Sequence, residues 1–152
     1  MGIWRRAIYA ILFLLCAWPA TASEPAPIAA PSPDANVYVI REYAEPTAWA
    51  TTIKVDGKKI VAISNRHYTA VRLPNGHHHI TFSWPFIATQ RGGSIDVEIV
   101  GDERHYLYLT GVSRVVGGGA GFLTVRMGSG MYEAPASTFD TACCKYQPPK
   151  QS

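Results

Sequence analysis

The chain is short of charge, of cysteine and of long apolar runs, and each shortage removes a class of protein. Only 16% of its 152 residues are charged. Outside the first 22 residues the one adjacent basic pair is Lys58-Lys59, so the clustered basic stripe that nucleic-acid binding needs is missing. Cysteine occurs three times, at 16, 143 and 144, which excludes a disulfide-stapled miniprotein. The longest apolar run, Ala7 to Trp18, is about twelve residues, whereas a helix crossing a ~30 Å hydrocarbon core needs about twenty.

What the N-terminus does contain is the layout of an export signal. Arg5 and Arg6 precede the apolar run, and Pro19-Ala20-Thr21-Ala22 supplies small residues with cleavage expected after Ala22. Leu15 before Cys16 departs from the small residue that precedes a lipidated cysteine, so a domain released into the periplasm or secreted is expected over a lipid-anchored or membrane-anchored one. Losing residues 1–22 removes two arginines and no acids, taking the formal net charge from +3 to +1. Residues 23–34, Ser-Glu-Pro-Ala-Pro-Ile-Ala-Ala-Pro-Ser-Pro-Asp, read as an extended proline-rich spacer.

From Ala35 the texture changes to short runs of Val, Ile, Thr, Tyr and Phe punctuated by Gly, Pro and Asn, which is the signature of strands and tight turns. Strands are expected at 36–43, 51–55, 58–63, 67–73, 77–84, 94–99, 104–110 and 122–127. Ile95, Val97 and Ile99 alternate with Ser94, Asp96 and Glu98, giving one buried and one solvated face. Asp56-Gly57 fits a two-residue hairpin turn. The pattern predicts one all-β domain over 35–147, an antiparallel β-sandwich of about eight strands, with a small open β-barrel as the alternative.

Near the end the period shifts. Phe139, Ala142, Cys143 and Tyr146 fall at i, i+3, i+4 and i+7, predicting a short C-terminal helix with Cys143 packed inward and Cys144 outward, followed by a disordered tail at 148–152. Adjacent cysteines rarely meet disulfide geometry, so they read as free thiols. Cys144 is then a candidate reactive thiol and a route to a disulfide-linked dimer.

Val37-Tyr38-Val39, Lys54-Val55-Asp56-Gly57-Lys58, Leu73-Pro74-Asn75-Gly76-His77-His78 and the stretch from Gly101 to Tyr106-Leu107-Tyr108 resemble the bacterial domain of unknown function family 2846. They are also loosely similar to PEGA-type surface domains. The resemblance covers about Asn36 to Thr110 and rests on turn motifs. It implies an exported, often lipid-anchored β-domain with no established activity.

The polar constellations are sparse. On a strand, His77 and His79 share a face, a spacing that can grip Zn or Cu if His67, His105 or a carboxylate adds a third ligand. The competing reading is a solvated strand end that binds nothing and needs no cofactor. Gly117-Gly118-Gly119-Ala120-Gly121 lacks the strand and helix context of a phosphate loop and reads as a hairpin connection. Gly128-Ser129-Gly130 lacks the spacing of a nucleophile elbow, and Asp96, Glu98, Asp102 and Glu103 read as surface acids.

Tyr106 and Tyr108 share one strand face and Leu107 and Leu109 the other. Either the leucines are core and the tyrosines form an outward pair able to stack on a glycan or another chain, or the tyrosines are core. The expectation is a non-catalytic, exported binding or assembly module of the bacterial cell envelope, acting on an envelope protein or glycan. The alternative is a periplasmic metal-binding protein using His77 and His79.

Overall fold

A computed structural model describes residues 30–140 and 142–150. The expected signal, its cleavage site and most of the spacer lie outside these residues. Among the described residues no helix is long and apolar enough to cross a membrane.

Among the described residues nine strands form two sheets: β1 Val37–Arg41, β2 Thr51–Val55, β3 Lys58–Ile63, β4 His67–Val71, β5 Gly76–Ser83, β6 Gly93–Ile99, β7 His105–Gly119, β8 Phe122–Ala134 and β9 Lys145–Tyr146. One sheet runs β8-β7-β1-β4-β9 and the other β3-β2-β5-β6. The fold is an all-β sandwich rather than a closed barrel. It is not purely antiparallel: β1 pairs parallel with β7, and β4 parallel with β9. Alternation reveals strands but not their partners, so these long-range parallel pairs carried no local signal.

Alternating side chains meet between the sheets. Val37 and Val39 of β1, Ile53, Val61 and Ile63 of β2 and β3, Ile80 and Phe82 of β5, and Leu107 and Leu109 of β7 are all buried there. Asp56 and Gly57 both take positive φ, 50° and 80°, as the expected two-residue turn between β2 and β3 requires. Where Glu45 donates its amide to the Gly111 carbonyl at 3.1 Å, the backbones come so close that a Cβ on Gly111 would collide with the Glu45 carbonyl.

Among the described residues the largest fully buried side chain is Arg41, at the end of β1. Its Nη1 donates to the carbonyls of Trp49 (2.7 Å) and Ile63 (3.0 Å), and its Nη2 to those of Ala44 (2.8 Å) and Pro46 (2.6 Å). The guanidinium lies 4.7 Å from the Trp84 ring centroid. Burial lowers its pKa to about 10, which leaves it charged at neutral pH. One cation thus gathers the β1–β2 loop and the end of β3 over Trp84.

The C-terminal segment is not the expected helix. After a short 3-10 turn at Ala136–Thr138, Asp140 bends the chain by accepting the Ala142 amide on its side chain (2.8 Å) and the Cys143 amide on its carbonyl (3.1 Å). β9 follows. The apolar spacing arises because the segment closes over one face of the five-stranded sheet and joins its edge as β9, with Phe139 on Tyr38, Tyr68 and Tyr106 and Tyr146 on Tyr68. Residues 148–150, expected in a disordered tail, continue along β3, with the Lys150 amide donating to the Ile60 carbonyl at 2.9 Å.

Candidate functional site

The histidine tract sits on β5 with the expected alternation, His77 and His79 exposed and His78 turned inward. Register places Glu98 opposite His77 and Asp96 opposite His79. His79 Nδ1 is 2.6 Å from Asp96 Oδ1, and His77 Nε2 is 3.7 Å from Glu98 Oε1. His67 and His105 belong to the other sheet, where they meet the Asn65 carbonyl and Glu133 at 2.8 and 2.7 Å. Among the described residues no three His, Cys, Asp or Glu side chains are grouped to hold a metal ion.

Leu107 and Leu109 face the inter-sheet core, so Tyr106 and Tyr108 point the other way, but not to solvent. Tyr106 stacks on Tyr38 at 5.0 Å and meets Phe139 at 5.7 Å, and Tyr108 is buried beside Tyr132 at 5.8 Å. The C-terminal segment makes a second core where an open glycan-stacking face was one expectation. That segment also corrects the cysteines. Cys144 is buried and Cys143 half-buried, the reverse of the expected orientation, and the two are joined as an adjacent disulfide. A dimer through Cys144 would first require that bond to open.

Among the described residues the most exposed large apolar side chain lies instead in the β5–β6 connection, in residues that strand periodicity did not single out. Between β5 and β6, Pro85 leads into a 3-10 turn at Phe86–Ala88 that is pinned by buried Ala88. Phe86 is fully exposed and Ile87 is 69% exposed. The turn ends at Thr89 in the left-handed region, φ 53°, a conformation a β-branched residue rarely adopts without surrounding support.

That support comes from the long β7–β8 hairpin. Trp84 Nε1 donates to Ser129 Oγ at 3.2 Å, and Ser129 Oγ donates in turn to the Arg91 carbonyl. Gln90 Nε2 donates to the Gly128 carbonyl at 2.6 Å, and the Thr89 hydroxyl lies 3.4 Å from Met127 Sδ. Trp84, Phe86, Ile87, Thr89, Gln90 and Arg91 line an open groove of about 820 Å³. Thr89 and Arg91 also line an adjoining recess with Val125 and Met127.

Beyond this contact the hairpin becomes an arm. Residues 112–121 of the turn and strands are exposed throughout, and β7 bulges at Val116 before the glycine tract. Val112, Val115, Val116, Val125 and Met127 are all exposed apolar residues of the arm. Arg114 stands directly opposite Arg126. Like charges facing across a strand pair repel, and among the described residues neither arginine has an ion pair.

The groove's side chains include no carboxylate, imidazole or thiol, so nothing there can exchange a proton near neutral pH. What the surface offers is apolar area, one amide, one hydroxyl and a guanidinium. The readable signal in the sequence is the run Trp84-Pro85-Phe86-Ile87 and the lack of any acid in 84–94 and 111–130. No family model, no curated protein and no solved structure matches the chain.

Proposed function

We propose that the chain is a non-catalytic β-sandwich module, exported on residues 1–22 to the periplasm or beyond, that works by binding a component of the bacterial cell envelope. The observation that carries this reading is the end formed by Phe86, Ile87 and the β7–β8 arm. A large aromatic side chain left wholly in water, next to further exposed valines, marks an interaction surface. The signal-like N-terminus and the resemblance to family 2846 support the compartment.

Fractionation of expressing cells tests it. Wild type should distribute with the envelope, while Phe86→Ser/Ile87→Ser should shift to the soluble fraction with its fold intact by circular dichroism. Identical distribution of the two proteins, or turnover of ester, peptide or glycan substrates by the folded protein, would overturn it.

A further inference from the structure

The same end of the sandwich carries a charge pattern as well as an apolar one. Residues 84–94 and 111–130 contain three arginines, 91, 114 and 126, with no lysine and no acid. With residues 1–22 removed the whole chain has a net charge of only +1, so this end is more basic than the molecule as a whole. Glu45 lines a cleft at the arm's base together with Arg114, but forms no ion pair with it.

Holding Arg114 and Arg126 face to face costs repulsion that a folded core does not repay, because both lie on the exposed arm. An anionic counterpart outside the chain relieves it. Along the arm Arg114 and Arg126 share one face and exposed Val115 and Val125 the other, while Thr89 and Arg91 line both the groove of Phe86 and Ile87 and the recess of Val125 and Met127. Apolar side chains reaching into an acyl boundary while arginines sit at headgroup level is the arrangement of a peripheral membrane contact. The bulge at Val116 and the Gly117–Gly121 tip that follows it let the arm conform to such a surface without bulky side chains in the way.

We infer that this end docks on a bilayer surface containing anionic phospholipid, with Phe86, Ile87 and the arm's valines as the apolar contact and Arg91, Arg114 and Arg126 as the headgroup contact. The inference rests on the binding-module reading and names its partner. Attachment is peripheral and reversible, and falls with salt because the headgroup contact is screened.

Flotation with vesicles of phosphatidylcholine containing none, one fifth or two fifths phosphatidylglycerol tests it, using protein purified as the cell leaves it. Bound protein should rise with the anionic fraction and fall as salt is raised. Arg114→Gln/Arg126→Gln should weaken binding to anionic vesicles by on the order of 30-fold. Phe86→Ser/Ile87→Ser should weaken it by about tenfold or more. These side chains are exposed, so neither variant should melt below wild type, and Arg114→Gln/Arg126→Gln, relieved of its repulsion, should melt slightly higher.

Binding that ignores phosphatidylglycerol, or that neither double variant reduces, overturns the lipid contact. Sedimentation velocity on the same samples separates the two levels of reading. If vesicles are not bound but Phe86→Ser/Ile87→Ser dissociates an oligomer of wild type, the lipid contact fails and the binding module stands, with a second copy as its partner. If neither vesicle binding nor assembly responds to either variant, both fail.

Discussion

His78 and Asp56 form an ion pair across two hairpins, Nδ1 to Oδ2 at 2.7 Å, while the other ring nitrogen of His78 lies 3.0 Å from the Pro74 carbonyl. Both ring nitrogens face acceptors, so only the protonated imidazole satisfies both contacts. Asp56 also accepts the His79 amide at 2.9 Å, which ties the β2–β3 turn to β5. The bond to Asp56, then the one to Pro74, raises the pKa of His78. The same bond, then the His79 amide, holds Asp56 below the ordinary carboxylate value.

The folded chain therefore binds the His78 proton more tightly than the unfolded chain does. This contribution is complete below the ordinary histidine value of 6.5 and is lost as pH rises through the higher folded value. Asp56 works in the opposite sense: its contribution is present above the ordinary carboxylate value of 3.8 and is lost as pH falls through its depressed one. The urea midpoint should fall as pH is raised from 6 to 9, and His78→Gln should flatten that slope. An unchanged slope in the variant would disprove the assignment.

Arg41 supplies a larger effect. Replacing it with Met leaves the carbonyls of Ala44, Pro46, Trp49 and Ile63 without their donor. Each buried carbonyl so abandoned costs about 1–3 kcal/mol before solvent relaxes in, so a loss of roughly 3 kcal/mol or more is expected. Arg41→Lys should recover only part of it, because an ammonium cannot span four acceptors with a planar fork. Denaturation midpoints for the two variants measure the difference.

The second core predicts a milder response. Phe139 meets the rings of Tyr38, Tyr68 and Tyr106 at 6.0, 5.1 and 5.7 Å. Phe139→Ala should cost about 2 kcal/mol, below the range for a fully buried phenylalanine, because the residue is only partly covered. The loosened segment should expose tyrosine, read as increased binding of a hydrophobic dye. A dye signal equal to wild type would mean that the segment does not depend on this ring.

Cysteine chemistry should be silent until reduction. With Cys143 joined to Cys144, iodoacetamide should label the protein lacking residues 1–22, and with them Cys16, only after a reductant is added, and non-reducing electrophoresis should show a monomer. Labelling of the untreated protein, or a covalent dimer that Cys144→Ser abolishes, would show the pair open in solution.

Much of the sandwich was legible because its strands are half-buried and alternate. β2 and β3 lie at their expected limits, and Asp56-Gly57 turns as its side chains dictate. The misreadings share a cause: one pattern with two physical origins. Phe139, Ala142, Cys143 and Tyr146 have helical spacing but belong to a bent, extended chain covering a sheet. Arg41 lies inside the strand expected at 36–43 and has no local signal of its own, since only folding brings four carbonyls to it. The arm was split into strands at 104–110 and 122–127 because Val115-Val116 and the glycine tract do not alternate, although the pairing continues through them with one bulge.

The surface at Phe86 was hidden for the opposite reason. Trp84-Pro85-Phe86-Ile87 is the composition of a core, and nothing local distinguishes an apolar residue that is buried from one held out by its neighbour Ala88. Exposure there is decided by the distant bonds from Trp84 to Ser129 and from Gln90 to Gly128.

The parallel pairing of β1 with β7 sets an order of events during synthesis. β1 leaves the ribosome early, yet its second neighbour β7, beginning at His105, is made only after β2 to β6. The innermost strand must wait, with one edge open, until the last third of the polypeptide arrives. The four-stranded sheet is complete in sequence by Ile99, whereas the five-stranded one cannot close around β1 until β7 has been made.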